Sequence, residues 1–351
     1  MIVDQTAKIN RKLTRTLWAL AGLLLLSLPC CESVAQEVEK SKPKANKFTS
    51  GLKRFTKLGH FKDPQINESS GVVVAAKGDA EVDQAIWTIN DSGGKPALYR
   101  VGLEGQTQAI LTLTNAKNHD WESLCSYQIG GGLKDKVRVL VVGDIGDNLR
   151  KRKSIQLFTV AEPAFKIKTD QDGKMITQQL TAEAVSHKFK YEDGAHNCEA
   201  MSYNTEDATY WFVEKIYTNE KRKAQPGIYV LPDPILSGDP LGTDEPKHVA
   251  RRIADFPVRN VTGMAFSNDN RKLVIRNYFG YYLFEKANDE TWQEVIRNAK
   301  PVSKPLPLQS QGEAICFSSD GKSLLLTSEL AGAIIWKVDL EDAQDNAGKK
   351  E

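Results

Sequence analysis

Two histidines each stand three residues before a glutamate, and this spacing is the clearest sign of chemistry in the chain. His119 precedes Glu122, and His196 precedes Glu199. A carboxylate can hold one tautomer of an imidazole and raise its basicity, so either histidine could act as a general base. Zinc binding is a weaker alternative, because no paired cysteines accompany the histidines. A third possibility is that each histidine only hydrogen-bonds to a nearby carboxylate.

The two glutamates belong to a pattern that recurs along the chain. An acidic residue or a threonine opens a short apolar run at five places, Glu68, Glu122, Glu199, Thr262 and Glu313. The copies are about 50 to 77 residues apart, and similarity at such spacings is typical of repeat architectures. The chain is therefore predicted to consist of repeated units.

Each unit is predicted to fold as a group of four short β-strands. Apolar runs alternate with turns rich in Gly, Asn and Asp, for example at 268–271 and 319–322, between the first two strands of units four and five. Helical periodicity is almost absent, apart from a short helix predicted at Glu290–Arg297. Repeated four-stranded units of this kind are typical of β-propeller blades.

The predicted fold is all-β, a single β-propeller over residues 53–340 with five blades. Six blades are the alternative, if the long second unit that runs on to about Tyr191 contains another one. The last unit has only three predicted strands and ends with Ala333–Val338. The lone strand Phe55–Phe61 is expected to supply the fourth strand and so to close the ring.

The first 35 residues have the pattern of a secretory signal peptide. Basic residues at 8, 11, 12 and 15 precede an apolar run at 17–28, and Ser33-Val34-Ala35 fits the small-x-small cleavage rule. Cys30 and Cys31 leave lipid attachment as the less favoured alternative. The protein is predicted to be secreted or periplasmic, with no transmembrane segment in the mature chain. Residues 36–52 are predicted to be a flexible linker and residues 341–351 a disordered tail.

The composition restricts the partners of the mature chain. The sequence has 47 basic and 45 acidic residues, of which the first 35 residues contain four and two, so 43 of each remain. A neutral chain has no general attraction for nucleic acid or for an anionic membrane. Cys125, Cys198 and Cys316 lie in or beside predicted strands and are expected to be buried free thiols. A monomer is expected.

In a propeller, the residues that open the innermost strand of each blade meet those that follow its second strand at one mouth of the channel. Crowded carboxylates repel one another unless a cation neutralises them, and oxygen ligands favour Ca²⁺. The predicted metal ligands are the side chains at these positions: Glu68, Glu122, Glu199, Glu313, Asp91, Asp144, Asp147 and Asn148. The alternative is that these groups bond to backbone amides and channel water.

Basic residues of units three and four are predicted to lie at the same mouth. Lys215, Arg259, Arg276 and the amide of Asn277 could hold a phosphate or carboxylate of a small-molecule ligand beside the metal. The cations could instead pair with the glutamates. The segment Gly143–Asn148 does not have the spacing of an EF-hand loop, so ligand and turn-capping roles both remain open for it.

Four motifs together carry a resemblance to known proteins: NESSG at 67–71, NDSGG at 90–94, DWES at 120–123 and GDIGDN at 143–148. With them, the chain resembles a group of uncharacterised secreted bacterial β-propeller proteins over most of residues 60–340. More distantly, it is similar to the calcium-dependent lactonase and phosphotriesterase propellers. That similarity implies Ca²⁺-assisted hydrolysis, in which the metal polarises an ester or phosphoryl oxygen.

Other enzyme classes are set aside because the chain has no Gly-x-Ser-x-Gly elbow, no P-loop and no dinucleotide fingerprint. Three functions remain: a metal-dependent hydrolase of an ester, lactone or phosphoester, a non-catalytic propeller that binds a ligand, and a protein-interaction scaffold. A propeller fold alone does not choose among them.

Overall fold

The computed structural model describes residues 55–76, 84–130, 136–222, 224–235, 246–298 and 300–340. Its strands form five four-stranded antiparallel blades, and the innermost strands of successive blades contact one another around a closed ring. The predicted five-bladed, all-β propeller is confirmed. The predicted signal peptide (1–35), linker (36–52) and tail (341–351) lie outside the described residues.

The strands follow the chain order, from the innermost to the outermost in each blade. Blade 1 contains β2 (Ser69–Val74), β3 (Ala85–Asn90), β4 (Ala97–Gly102) and β5 (Thr107–Leu113). Blade 2 contains β6 (Trp121–Ile129), β7 (Val137–Asp144), β8 (Ile155–Ala161) and β10 (Val185–Tyr191). Blade 3 contains β11 (Cys198–Asn204), β12 (Thr209–Glu214), β13 (Gly227–Pro232) and β14 (His248–Asp255). Blade 4 contains β15 (Val261–Phe266), β16 (Lys272–Asn277), β17 (Gly280–Glu285) and β18 (Ser303–Pro305). Blade 5 contains β19 (Gly312–Phe317), β20 (Ser323–Ser328), β21 (Ile334–Asp339) and β1 (Phe55–His60).

The ring is closed by the N-terminal strand, as predicted. Strand β1 pairs antiparallel with β21, so that Phe55 lies opposite Val338 and His60 opposite Ile334. The last blade thus gains its fourth, outermost strand from the N-terminal end of the described chain.

The described part of the long second unit forms no sixth blade. After β8 the chain forms β9 (Gln178–Ala182), which pairs parallel with β5 as an extra outer strand of blade 1. It then returns as β10 to complete blade 2. Strand β10 also pairs parallel with β14, so blades 2 and 3 form one eight-stranded sheet.

The core lies between neighbouring blades. Trp87, Trp121 and Trp211 are fully buried there, among the apolar side chains of the adjacent sheets. The three cysteines of strands β6, β11 and β19 are buried free thiols, as predicted. Helix α1 (Trp292–Asn298), close to its predicted place, packs through three buried residues. Within the described residues, no helix has the length and apolar character needed to cross a membrane.

Every innermost strand has a β-bulge against the second strand of its blade. The residues at the bulges are Ser70, Glu122, Glu199, Thr262 and Glu313. In blade 1 the bulge residue is Ser70, so the predicted alignment of Glu68 with the other glutamates is wrong. Glu68 lies two residues earlier, at the position of Asp120 in blade 2. A bulge re-aims side chains locally.

A small residue follows each bulge, because the innermost strands approach closely at that point. These residues are Gly71, Ser123, Ala200, Gly263 and Ala314. A Cβ added to Gly71 would lie 2.5 Å from the backbone nitrogen of Leu124 in the next blade. A large side chain at this position would therefore force the two blades apart.

Candidate functional site

Two sets of side chains surround one end of the channel, which we call the mouth. The first set is the five bulge residues. The second set consists of the residues that directly follow the second strands: Asp91, Ile145, Lys215, Tyr278 and Glu329. The strand registers place both sets at the same end of the blades, since Trp121 lies opposite Asp144 and Cys198 opposite Glu214.

The two hydroxyl residues at bulges join neighbouring blades. The Ser70 hydroxyl donates to the backbone carbonyl of Trp121 at 2.8 Å, and the Thr262 hydroxyl donates to that of Gly312 at 3.0 Å. Blades 1 and 4 therefore use the bulge position for a structural contact. The three glutamates at the same position, in blades 2, 3 and 5, are free for another role.

On one side of the mouth, Lys215 lies between two of these glutamates. Its ammonium group bonds to the Glu199 carboxylate and lies 3.8 Å from Glu313 Oε1. The Tyr278 hydroxyl accepts from Lys215 at 2.8 Å and donates to Glu313 Oε1 at 2.9 Å. Burial alone would lower the pKa of Lys215, but Glu199 and Glu313 outweigh burial and raise the pKa. Lys215 is therefore a fixed cation in this part of the mouth.

On the other side, three carboxylates lie together, and none of them forms an ion pair with a lysine or arginine among the described residues, although Arg152 is close enough to act on the pKa of Asp120. Asp91, Asp120 and Glu122 each offer a carboxylate oxygen within 4.8 Å of the others. Burial raises the pKa of Asp91 to about 7, and the nearby Asp120 and Glu313 act in the same direction. The pKa of Asp120 is also raised, mainly by burial.

Glu122 is the most unusual member of this group, which we call the carboxylate cluster. Glu122 is only 5% exposed, and its carboxylate forms no hydrogen bond or ion pair with any of the described residues. Burial and the neighbouring Glu199 and Asp91 raise the pKa of Glu122 well above its ordinary range. A buried carboxylate without a partner is costly unless it is protonated or binds a cation.

The loop after β7 supports the cluster through its backbone. A Cβ added to Gly146 would lie 2.5 Å from Asp120 Cγ and 2.6 Å from Glu122 Oε1. The Gly146 amide also donates to the backbone carbonyl of Asp120 at 3.2 Å. Glycine is therefore needed at position 146 for the loop to reach the two carboxylates.

The polar side chains of this loop, which were predicted as metal ligands, have partners within the protein. Asp144 Oδ1 accepts from Arg152 Nη1 at 2.7 Å, and its Oδ2 accepts from Gln156 at 3.2 Å. Asp147 Oδ2 accepts from the backbone amide of Arg152 at 2.7 Å. Asn148 Oδ1 accepts from Asn197 and Tyr217. In the structure these groups hold loops in place beside the mouth.

The remaining predicted ligand, Glu68, lies at the rim of the mouth. Its backbone forms an isolated bridge with Glu329, and its carbonyl accepts from the Asp91 amide at 2.8 Å. Burial, together with the nearby Glu313 and Asp91, raises the pKa of Glu329 to about 7. Glu68 and Glu329 thus extend the acidic side of the mouth toward solvent.

The two predicted catalytic histidines have different surroundings. His196 is buried, with Nε2 2.8 Å from Asp193 Oδ1 and Nδ1 3.0 Å from Glu214 Oε1. Its carboxylate partners are thus not Glu199, which the sequence spacing had indicated. His119 is exposed and lines a cleft of about 520 Å³ next to Asp120.

Of the four predicted substrate-binding residues, Lys215 reaches the mouth. The Arg259 guanidinium donates to the backbone carbonyls of Tyr217 and Arg222. Arg276 is 1% exposed and donates to the Ala314 carbonyl at 3.0 Å, and burial lowers its pKa to about 10. Asn277 Oδ1 accepts from two backbone amides and caps the turn after β16.

From the sequence, Asp120 and Glu329 are expected at the mouth but not among the ligands or catalytic residues, whereas Tyr278 is not expected there. A signal for Asp120 was available, because it lies two residues before Glu122 in the motif that also contains His119. Tyr278 could have been found by aligning the ends of the second strands, where it matches Asp91, Lys215 and Glu329.

No protein-family model and no curated protein matches this chain. Among solved structures, it is similar to the RRP9 WD40 repeats at 10% identity, covering 82% of this chain and 98% of that chain with a TM-score of 0.38. U3-55K is similar at 10% identity, with 82% and 99% covered and a TM-score of 0.39. A gluconolactonase from Xanthomonas campestris is similar at 10% identity, with 74% and 70% covered and a TM-score of 0.36. The five-bladed assignment rests on the strand pairing described above.

Proposed function

We propose that the carboxylate cluster of Asp91, Asp120 and Glu122 binds a divalent cation, with Ca²⁺ as the first choice. The observation that carries this proposal is the buried Glu122 side chain, which lies among carboxylates and has no partner among the described residues. A divalent cation would neutralise the cluster and remove the cost of burying an unpaired charge. Lys215 is the corresponding cation beside Glu199 and Glu313.

The choice of Ca²⁺ follows from the donor atoms. All three side chains offer carboxylate oxygens, which hard cations prefer, and Ca²⁺ accepts irregular sets of six to eight oxygen ligands. With three carboxylates from the protein, several coordination positions on the ion remain for water or a substrate oxygen. Sites built for weak extracellular binding work at about 0.1–1 mM Ca²⁺, which suits the secreted or periplasmic location predicted from residues 1–35.

The proposed activity is metal-dependent hydrolysis of an anionic ester, lactone or phosphoester. A bound cation with open positions can polarise the ester or phosphoryl oxygen. His119 lines the cleft that adjoins Asp120, so it is the better placed of the two histidines to act as general base. His196 contacts carboxylates through both ring nitrogens, which gives it a positioning role.

A non-catalytic ligand-binding propeller is the second candidate. It is favoured by the number of mouth residues that are already bonded to one another, such as Lys215, Tyr278 and Glu313. In that case the cation and the cleft would hold a ligand without chemical conversion.

Thermal unfolding and a substrate panel separate these proposals. Ca²⁺ at 100 times its Kd should stabilise the folded state by about 2.7 kcal/mol relative to protein in chelator. Turnover of an ester, lactone or phosphoester that stops in chelator would support the hydrolase. Stabilisation by Ca²⁺ without turnover would support the binding propeller, and identical melting with Ca²⁺ and chelator would refute the metal site.

A further inference from the structure

The cleft beside the mouth is large enough for a small molecule and is lined by basic side chains. Its volume is about 520 Å³, and its lining includes His119, Asp120, Lys151, Arg152, Ser154 and Lys188. Sites for small ligands commonly occupy about 300–1,000 Å³. Because Asp120 belongs to both the cleft and the carboxylate cluster, a molecule in the cleft would lie next to the proposed cation.

The guanidinium group of Arg152 is fixed in one orientation by hydrogen bonds from its Nη1 atom. Its Nη1 donates to Asp144 Oδ1 at 2.7 Å and to the Gly146 carbonyl at 2.8 Å. Its backbone amide donates to Asp147 Oδ2 at 2.7 Å. Asp144 is fully buried, so the anchor is rigid.

The other edge of the same guanidinium group has no partner among the described residues. This edge consists of the N–H groups on Nε and Nη2, and the side chain is 24% exposed. Parallel N–H groups on one edge of an arginine bind two oxygens of a phosphate or carboxylate at once. Arg152 therefore presents a fixed, unused edge of the type that binds oxyanions.

The cleft has further cations beside this edge. Lys151 and Lys188 line it together with Arg152, whose charge is paired with Asp144, and with the carboxylates of Asp120 and Asp147. A divalent cation on Asp120 would make this group of charges net positive and favour a doubly charged anion. The hydroxyl of Ser154 adds a neutral hydrogen-bond donor to the lining.

We infer that the cleft binds the phosphate group of a phosphorylated small molecule, with the Nε–Nη2 edge of Arg152 as its bidentate donor. This inference rests on the proposed function in naming the substrate class of that site. The anion-binding step itself needs no metal, because its donors come from the protein. Bound cation and bound phosphate should strengthen each other by the same factor, since such coupling is reciprocal.

The test uses phenyl phosphate as the probe and calorimetry on the full chain in chelator. The parent should bind phenyl phosphate, and it should not bind benzyl alcohol, which lacks the anion. Lys151→Gln with Lys188→Gln should weaken binding at least about tenfold, since each lost charge weakens the oxyanion contact. Lys153→Gln is the matched control, because Lys153 is an exposed lysine of the same loop that does not line this cleft. Its affinity should equal that of the parent.

Arg152→Lys tests the bidentate edge directly. It keeps the charge beside Asp144 but removes the paired N–H groups, so phenyl phosphate should bind at least about tenfold more weakly. Unchanged affinity in Arg152→Lys or in the double lysine variant would overturn the inference, as would no binding by the parent. Melting with Ca²⁺ alone, on the same preparations, reports the metal site separately. A rise in Tm with Ca²⁺ but no binding of phenyl phosphate would contradict only the proposed phosphate site. Binding of phenyl phosphate without a rise in Tm would contradict only the proposed metal site.

Discussion

Glu122 and Glu313 occupy the same bulge position in blades 2 and 5 and are almost equally buried, at 5% and 3% exposed. Glu313 accepts a hydrogen bond from Tyr278 and lies near the Lys215 ammonium group. Glu122 has neither kind of partner among the described residues, and its nearest companions are Asp91 and Asp120. The same β-bulge thus places a glutamate in a different electrostatic environment in each of these two blades.

The difference arises at the residue that follows the second strand of each blade. Blade 3 has Lys215 there, and its ammonium group serves the glutamates of blades 3 and 5. Blade 1 has Asp91, which adds a negative charge to Glu122 instead. One side of the mouth therefore contains a cation from the protein, although burial still raises the pKa of Glu199 to about 8, whereas the other side depends on protons or a cation from solution.

Removing the internal cation should have the largest effect on stability. Lys215→Met leaves the buried Glu199 and Glu313 without their cation, and loss of one partner of a buried ion pair typically costs about 3–5 kcal/mol. Urea unfolding in chelator measures this cost. Ca²⁺ should restore much of the loss, because the second side of the mouth would then also bind a cation.

Lys286→Met is the control for that variant. Lys286 is also largely buried, but its partner Glu206 is 52% exposed, so the loss should be about 1 kcal/mol or less. Equal costs for the two lysine variants would contradict the idea that Lys215 stabilises the buried glutamates of the mouth.

His119, which lines the cleft, is expected to act as the general base, whereas the buried His196 is expected only to position other groups. If a substrate is found, His119→Gln should lower kcat by about 100- to 10,000-fold, as expected for loss of a general base. The fold should be unaffected because His119 is exposed. The control is His60→Gln in the outermost strand of blade 5, which should keep full activity. Activity of His119→Gln equal to the parent would assign the base to another group.

The pH dependence of stability should follow the unpaired carboxylates. The pKa of Asp91 is raised to about 7 in the folded protein and has its ordinary value near 4 after unfolding. Between these values the folded state binds more protons, so its stability should fall as the pH rises from about 4 through about 7. Each kcal/mol lost lowers Tm by about 2–4 °C.

Ca²⁺ should remove this loss, because it replaces the protons of the cluster. Melting curves from pH 5 to pH 8, in chelator and in Ca²⁺, measure both effects. Flat curves in chelator would mean that Asp91 and Glu122 do not carry a proton in the folded protein.

The architecture could be predicted from the sequence because each unit repeats the same short strands and turns. The closing strand followed from a count, since the last unit lacked one strand and Phe55–Phe61 was left over. The long second unit was harder, because β9 (Gln178–Ala182) is a polar strand that pairs with another blade. Its alternation of apolar and polar residues is too weak to predict that it pairs with a strand that is distant in sequence.

The site was predicted only in outline. The sequence placed the acidic residues at one mouth, but it could not show which of them are already paired. Asp144 and Asp147 resemble ligands by residue type, yet Arg152 occupies their oxygens. The blade 1 repeat was aligned two residues out because Glu68 has the same chemistry as Glu122, whereas the bulge places Ser70 there.

The central claim is that Ca²⁺ binds at Glu122 and not at Glu313. Calorimetric titration of Ca²⁺ into the metal-free parent, Glu122→Gln and Glu313→Gln tests this claim most directly. We predict one Ca²⁺ per chain for the parent and for Glu313→Gln, and no measurable binding for Glu122→Gln. Binding that persists in Glu122→Gln but is lost in Glu313→Gln would contradict the account, and so would a parent that binds no Ca²⁺.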